Sequence, residues 1–366
     1  MTKILVVNTA GMGLGGITSH MLTYLGALRD ARSDCTIDIV VTGARNNEIL
    51  NHFDRIGCHL FEMPDRKKHL VKYIYELAVI LRKRHYDVIH VHGNSSLMLV
   101  ELLLARRTKI PVRIAHCHNT ICKHMKLHRL LKSAFDRSYT TAVACSLKAG
   151  DWLFGRGQFT VLPNAIDLPK YHFDSTIRTK YRAFIGASDN EVVIGHVGNF
   201  NHQKNQGFLL KIIEVSQNIS DMPKLKLILL GAGALEDEIK EDVNKLGLED
   251  CVTFLGFRND VERWLQCMDV FMLPSYFEGS PVSLIEAQAA GLPCLVSDSV
   301  TDDLLLTNNV YQMSLSSGAR QWAEKLRSII MSKSNYERRV PQSLELFDIH
   351  RCEKQLEHLY QMNEQE

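Results

Sequence analysis

No apolar run in the 366-residue chain is long enough to cross a bilayer. The longest, Leu97 to Ala105, is interrupted by Glu101 and falls far short of the ~20 residues a spanning helix needs. A cysteine framework is missing too: nine cysteines, an odd number, lie scattered from Cys35 to Cys352, which excludes the disulfide-stapled secreted class and reads as reduced thiols. Tandem repeats and low-complexity segments are absent, and 45 % hydrophobic with 23 % charged residues exclude a disordered or fibrous chain. The opening Met1-Thr2-Lys3-Ile4-Leu5-Val6-Val7 reads as a strand rather than a leader, so a cytoplasmic location is expected. Net charge is almost absent at +2, but this is a cancellation: residues 1–170 carry 24 Lys+Arg against 13 Asp+Glu, and residues 171–366 carry 19 against 28.

What is present is a rhythm. Short β-branched runs (Lys3–Asn8, Thr36–Val41, Val88–Val91, Val112–His116, Ala142–Cys145, Phe159–Leu162) alternate with amphipathic stretches such as Ile17–Arg29 and Leu70–Arg84. Continuous rather than alternating apolar character marks strands covered on both faces, and helices between them mark parallel crossovers, so the pattern predicts a doubly wound α/β domain. The rhythm breaks at Leu162-Pro163-Asn164-Ala165-Ile166-Asp167, is expected to stay irregular to about Asn190, and resumes with strands Val192–Val197, Lys226–Leu230, Val252–Leu255, Val270–Leu273 and Pro293–Val296. The expected division is 1–170, 171–343 and a closing helix in 344–366 that packs outside or across the domains.

Gly11-Met12-Gly13-Leu14-Gly15-Gly16 follows the first strand and opens a helix, which spells a dinucleotide fingerprint. A nicotinamide site also needs an acidic residue at the end of the second strand for the ribose. Here Asp38 lies inside that strand and Thr42 ends it, so the partner is missing and a dehydrogenase is disfavoured. Two readings remain: a glycine turn required by tight strand–helix packing, or an anion cradle in which backbone N–H groups of Gly15 and Gly16 bind phosphate at a helix N-terminus.

In the second half, Phe277-Glu278-Gly279-Ser280-Pro281-Val282-Ser283-Leu284-Ile285-Glu286-Ala287 follows the strand Val270–Leu273. Glu278 precedes a turn, Glu286 lies in the next helix, and Gly279 to Ser283 offer N–H groups to an anion. Two carboxylates flanking such a helix start can accept hydrogen bonds from sugar hydroxyls, one holding a sugar and the other a ribose. This Glu-x7-Glu segment resembles the family 4 retaining glycosyltransferases of GT-B fold. Further segments agree in order: Gly15-Gly16-Ile17, Asp87-Val88-Ile89-His90-Val91-His92, Arg113-Ile114-Ala115-His116-Cys117-His118-Asn119, Val197-Gly198-Asn199-Phe200 through Lys204-Asn205, Leu230-Gly231-Ala232-Gly233 and Phe254-Leu255-Gly256-Phe257. The Arg-Ile-Ala-His-Cys-His-Asn phrase is similar to bacterial capsular and exopolysaccharide enzymes.

The resemblance implies two facing Rossmann-like domains with a nucleotide-sugar, a UDP-sugar by expectation, held mainly by the second. Glu286 would bind the ribose, Glu278 with Gly279, Ser280, Pro281 and Val282 the transferred sugar, and Phe257-Arg258 would flank the base. Lys204, with Gly198 behind it and Gly16 from the first domain, would offset diphosphate charge, and His118 would lie near the reacting centre. No metal or other cofactor is implied. One departure stands out: Asn199 occupies the position where the family often has an arginine on the diphosphate, so Lys204 is left as the principal cation. Ala165 stands where the family usually has glycine. An alternative reading is therefore a nucleotide-sugar-binding partner subunit with lost catalysis. An epimerase or phosphorylase on the same frame fits the Glu-x7-Glu segment less well.

His116 and His118 are expected on opposite faces of their strand, with the family register favouring His118 for the site. His116, Cys117, His118, Cys122 and His124 lack the paired spacing that makes zinc persuasive. The basic residues of the first half lack interleaved aromatics, so nucleic acid is not expected. Lys123–Arg137 mixes Met125, Leu127, Leu130, Leu131 and Phe135 with Lys126, Arg129 and Lys132, which suits contact with an anionic membrane on its inner face. A glycan or lipid-linked acceptor would arrive there.

Overall fold

The computed structural model describes every residue except Leu14, Arg156, 333–337, Arg339 and 362–366. Leu14 of the glycine run and the last position of the closing helical pattern, Met362, therefore lie outside the described residues. By packing, the chain divides into one unit of Met1–Ala165 with Leu346–Glu366 and a second of Ile166–Glu345.

The first unit holds β1 (Thr2–Asn8), β2 (Cys35–Val41), β3 (His59–Glu62), β4 (Val88–Gly93), β5 (Val112–Cys117), β6 (Thr141–Ala144) and β7 (Thr160–Val161), in the order β3-β2-β1-β4-β5-β6-β7. Every pairing is parallel. Its two faces are buried separately. Ile4, Val6, Ile37, Ile39, Val88 and Ile114 pack under the helix Gly16–Ala31, while Leu5, Val7, Val40, Ile89, Val91 and Ala115 pack against Tyr73, Leu77, Leu102 and Phe135. This double burial is why the strands carry no polar alternation. The helix Ile349–Leu359 belongs to this unit, where Ile349, Cys352, Leu356 and Tyr360 join the first face.

The second unit holds β8 (Val192–Val197), β9 (Leu225–Leu230), β10 (Val252–Gly256), β11 (Val270–Leu273), β12 (Cys294–Ser297) and β13 (Val310–Met313), ordered β10-β9-β8-β11-β12-β13 and again all parallel. Both sheets thus reverse strand order beside the first strand of the domain, between β1 and β4 and between β8 and β11. In open α/β sheets that switch point, at the carboxyl ends of the strands, is where ligands bind.

Two expectations need correction, and that of reduced thiols does not. β3 and β13 escaped the sequence reading because both are four-residue edge strands without fully buried positions. The stretch expected to be irregular up to Asn190 contains the helix Ser175–Phe184. Its inward face is cationic instead of apolar: Arg178 and Arg182 both pair with Asp269, at 2.9 and 3.0 Å, and donate to the carbonyls that end the helix Val261–Cys267. All nine cysteines are free thiols.

Candidate functional site

In the second unit the loops after β8 and β11 meet at the switch point. Asn201 accepts from the Lys204 backbone N–H, capping a single 3-10 turn, His202–Lys204, that aims the lysine side chain. Lys204 Nζ lies 2.7 Å from Glu278 Oε1, and Glu278 Oε2 accepts from Gln203 Nε2 at 3.3 Å. Gln203 also donates to the Phe277 carbonyl, and its own carbonyl accepts from Tyr276 N–H. With side-chain exposures of 15 % and 4 %, Lys204 and Glu278 form a largely desolvated pair, in which each charge depends on the other.

Gly198 explains how the lysine reaches this position. A Cβ there would stand 3.1 Å from Lys204 Cδ and Cε, so a side chain at 198 would press on the lysine stem. Gly231, with φ +138°, lies directly against the Gly198 carbonyl, 2.1 Å from where its Cβ would be, and only glycine fits both the conformation and the space.

Gly279, Ser280 and Pro281 lead into the helix Val282–Ala289, whose first N–H groups have no intrahelical acceptor. Glu286, one turn in, is half-buried, and its Oε1 accepts from Tyr171 Oη at 2.8 Å. Burial pushes its pKa up to about 7, opposed by the Tyr171 hydrogen bond and reinforced by the nearby Glu262. Phe257 is exposed on the loop after β10, while the Arg258 guanidinium sits 5.2 Å from the Trp264 ring centroid and its Nε is buried without a hydrogen-bond partner among the described residues. Lys204 thus contacts Glu278, with its stem running past Gly198, while Arg258 lies over Trp264. Asn199 contributes its backbone carbonyl to Gln206.

In the first unit, the glycine run divides by role. Gly11, at φ +103°, makes the tight turn against Ala44, whereas a Cβ at Gly15 or Gly16 would meet nothing within 4 Å. Packing therefore does not require glycine at those two positions, and they leave open space at the N-terminus of the helix Gly16–Ala31. Asp38, inside β2, accepts from Tyr86 Oη at 2.6 Å, a structural role.

The expectation for His116 and His118 is overturned. Residues two apart on a strand share a face, and the two rings stack with centroids 4.1 Å apart; it is Cys117 that points into the opposite core. On β4 and β5 the face that begins Val88 and Val112-Ile114 continues as His90-His92 and His116-His118. His92 Nδ1 and His118 Nε2 are 2.8 Å apart, His90 Nε2 and His116 Nδ1 3.0 Å, His90 Nδ1 and Tyr360 Oη 2.8 Å, and His20 Nδ1 and Asn164 Oδ1 3.1 Å. Burial holds all five imidazoles neutral, with His20 and His90 lowered to about 3 and the other three well below the ordinary value. His20, His90 and His92 were not singled out in the sequence; a signal was available in the i, i+2 repetition His90/His92 and His116/His118 at the ends of neighbouring strands.

The fold and these loops match known proteins. Residues 14–170 fit the model of Glycosyltransferase Family 4 and residues 177–343 that of Glycosyl transferases group 1. An uncharacterized glycosyltransferase of Methanocaldococcus jannaschii, MJ1607, is 31 % identical over 311 residues, 78 % of this chain and 77 % of that protein. The chain belongs to the glycosyltransferases. The putative glycosyltransferase EpsF of Bacillus subtilis is 34 % identical over 66 % of this chain and 65 % of its own length. A UDP-Gal:alpha-D-GlcNAc-diphosphoundecaprenol alpha-1,3-galactosyltransferase of Escherichia coli is 27 % identical over 65 % of this chain and 64 % of its own length. The match thus spans just under two thirds of each of those two relatives. Among solved structures, Anabaena Alr3699/HepE in complex with UDP and glucose superposes with a TM-score of 0.80 over 99 % of this glycosyltransferase and 100 % of that chain, at 17 % identity. The two Rossmann-like parallel-sheet domains are those of the GT-B fold.

Proposed function

We propose that this glycosyltransferase moves a hexose or N-acetylhexosamine from a UDP-sugar to a lipid-linked glycan, with retention at the anomeric carbon, in surface-polysaccharide synthesis. The observation that carries the reading is the desolvated Lys204–Glu278 pair at the β8/β11 switch point. A departing nucleoside diphosphate gains negative charge in the transition state, and a fixed ammonium beside helix-end N–H groups offsets it without a metal. On this reading Lys204 takes the diphosphate, Glu278 and the backbone of Gly279 to Val282 take the transferred sugar, and Glu286 takes the ribose. Phe257 lies by the base. Arg258 flanks the base with Phe257, and since Asn199 supplies no charge, the reading concentrates charge stabilisation on Lys204. The acceptor proposal is supported by the E. coli relative, a galactosyltransferase named for its diphosphoundecaprenol-linked acceptor.

The reading is tested by incubating the purified chain with single UDP-sugars and a polyprenyl-diphosphate-linked acceptor. Transfer supports it, and donor binding without turnover would favour the partner-subunit alternative, for which Asn199 is the motivating residue.

Glu286 makes donor binding pH-dependent. Its pKa near 7 means that the carboxylate able to accept two hydroxyls is lost as pH falls. Between pH 8 and pH 6 the donor Kd is expected to rise about tenfold, and Glu286→Gln should flatten the profile while weakening binding at pH 8. Calorimetric titration with UDP at several pH values checks this. The same shift has an opposite face in folding: with its folded-state pKa above the ordinary carboxyl value of 4.5, Glu286 favours the fold at low pH, a contribution lost as pH rises through about 7.

Peripheral membrane contact is part of the proposal. Among the described residues no helix is long and apolar enough to cross a membrane. On the helix Met125–Asp136, Phe135 is buried and Leu131 packs on the core, but Met125, Leu127 and Leu130 are exposed beside Lys126 and Arg129. The protein is expected to sediment with anionic vesicles at low salt and to release at high salt. Equal binding to neutral vesicles would contradict the electrostatic part.

A further inference from the structure

We propose that His20, His92, His116 and His118 form a site for one transition-metal dication of the zinc class. Each of the four offers one ring nitrogen, and these nitrogens lie within 4.8 Å of one another. Ligand nitrogens about 2.0–2.1 Å from a tetrahedral zinc ion stand roughly 3.4 Å apart, so the set closes onto an ion by small side-chain rotations. Nothing in the linear spacing shows this. The ligands come from a helix and from the ends of two strands, and Cys122 and His124, the nearest sequence candidates, are not among them.

Two further observations point to a ligand. His116 Nε2 is fully buried and has no hydrogen-bond partner among the described residues, an unmade bond that is costly unless something occupies it. The surrounding hydrogen bonds also select tautomers. Asn164 Oδ1 can only accept, so His20 carries its proton on Nδ1 and presents the Nε2 lone pair. If Tyr360 Oη accepts from His90 Nδ1–H, His90 Nε2 in turn accepts from His116 Nδ1–H, and His116 Nε2 is left as a free lone pair. A ligating histidine held by a hydrogen bond from its other ring nitrogen is the arrangement that orients metal sites. His92 and His118 share one proton across their 2.8 Å contact; an ion binding there displaces it to the far nitrogen of the ring that carried it, so both rings stay neutral. His118 is the half-buried member of the group.

On the transfer reading, an ion held by His118 would occupy the residue assigned to the reacting centre, so the metal-bound form would be the inactive one. The binding test does not depend on that reading. Full-length protein without a polyhistidine tag is stripped of metal and titrated with cobalt(II) chloride. The expected result is one equivalent bound, with the intense visible absorption of a tetrahedral nitrogen-ligated ion, bleached by one equivalent of zinc chloride. His116→Gln and, on the exposed side, His118→Gln should each weaken binding by about 100-fold or more, beyond the 10–100-fold range of losing a supporting hydrogen bond. His124→Asn should leave binding unchanged. Thermal unfolding identifies any variant that fails to fold, and zinc should raise the Tm of the parent protein but not of the folded variants. No stoichiometric binding, a weak octahedral spectrum, or undiminished binding in both folded variants would overturn the proposal.

Discussion

Lys204→Ala is expected to lower kcat for sugar transfer by about 10²–10³, the usual loss when one fixed donor to a developing anion is removed. The mechanism concentrates this effect because Asn199 brings no charge to the diphosphate. Glu278→Gln should produce a loss of similar size by a different route. It keeps the shape of the side chain but removes both the partner that positions Lys204 at 2.7 Å and the carboxylate proposed to hold the sugar. The two variants differ in stability. Lys204→Ala leaves Glu278, only 4 % exposed, without its counter-charge, whereas Glu278→Gln leaves an ammonium that still reaches solvent. Lys204→Ala should therefore have the lower Tm. Steady-state kinetics with matched thermal unfolding separates the two contributions, and full activity in both variants would remove the site assignment.

Asp269→Ala is expected to destabilise the second domain by about 3–5 kcal/mol, the cost of leaving buried charge unpaired. Asp269 accepts from Arg178, Arg182 and the backbone of Val193, so one carboxylate joins the helix Ser175–Phe184 to the start of β8 and to the end of the helix before β11. Arg182 is buried, and its other contacts are the carbonyls of Cys267, Ser188 and Glu191, none of which neutralises it. Urea unfolding should show a lower midpoint at unchanged slope. A change under 1 kcal/mol would mean that the arginines find water on substitution.

The same helix shows where sequence reading reached its limit. Strands such as Val192–Val197 and Val270–Leu273 are legible because continuous aliphatic runs have few other places to go in an α/β chain without a spanning helix among its described residues. Ser175–Phe184 is not, because its inward face is Arg178 and Arg182 and its order comes from a carboxylate more than 80 residues away. The edge strands β3 and β13 fail for a related reason: half-exposed, they carry no burial pattern. At the site, Glu278 was legible as a candidate from the loop it occupies and Lys204 from the family resemblance, but their pairing was not, since 74 residues separate them. The imidazole cluster was the least visible. It depends on strand order, which sets β4 beside β5, and on the helix that brings His20 over both.

The central claim is that this chain itself transfers a sugar with retention, using the second-domain site. The most direct measurement is proton NMR of the product formed by purified protein from a UDP-α-sugar and a polyprenyl-diphosphate-linked acceptor. The account predicts release of UDP and a new glycosidic bond with the α configuration of the donor, absent in Glu278→Gln. A β-linked product, or UDP-sugar bound but unconsumed with every acceptor offered, would contradict it.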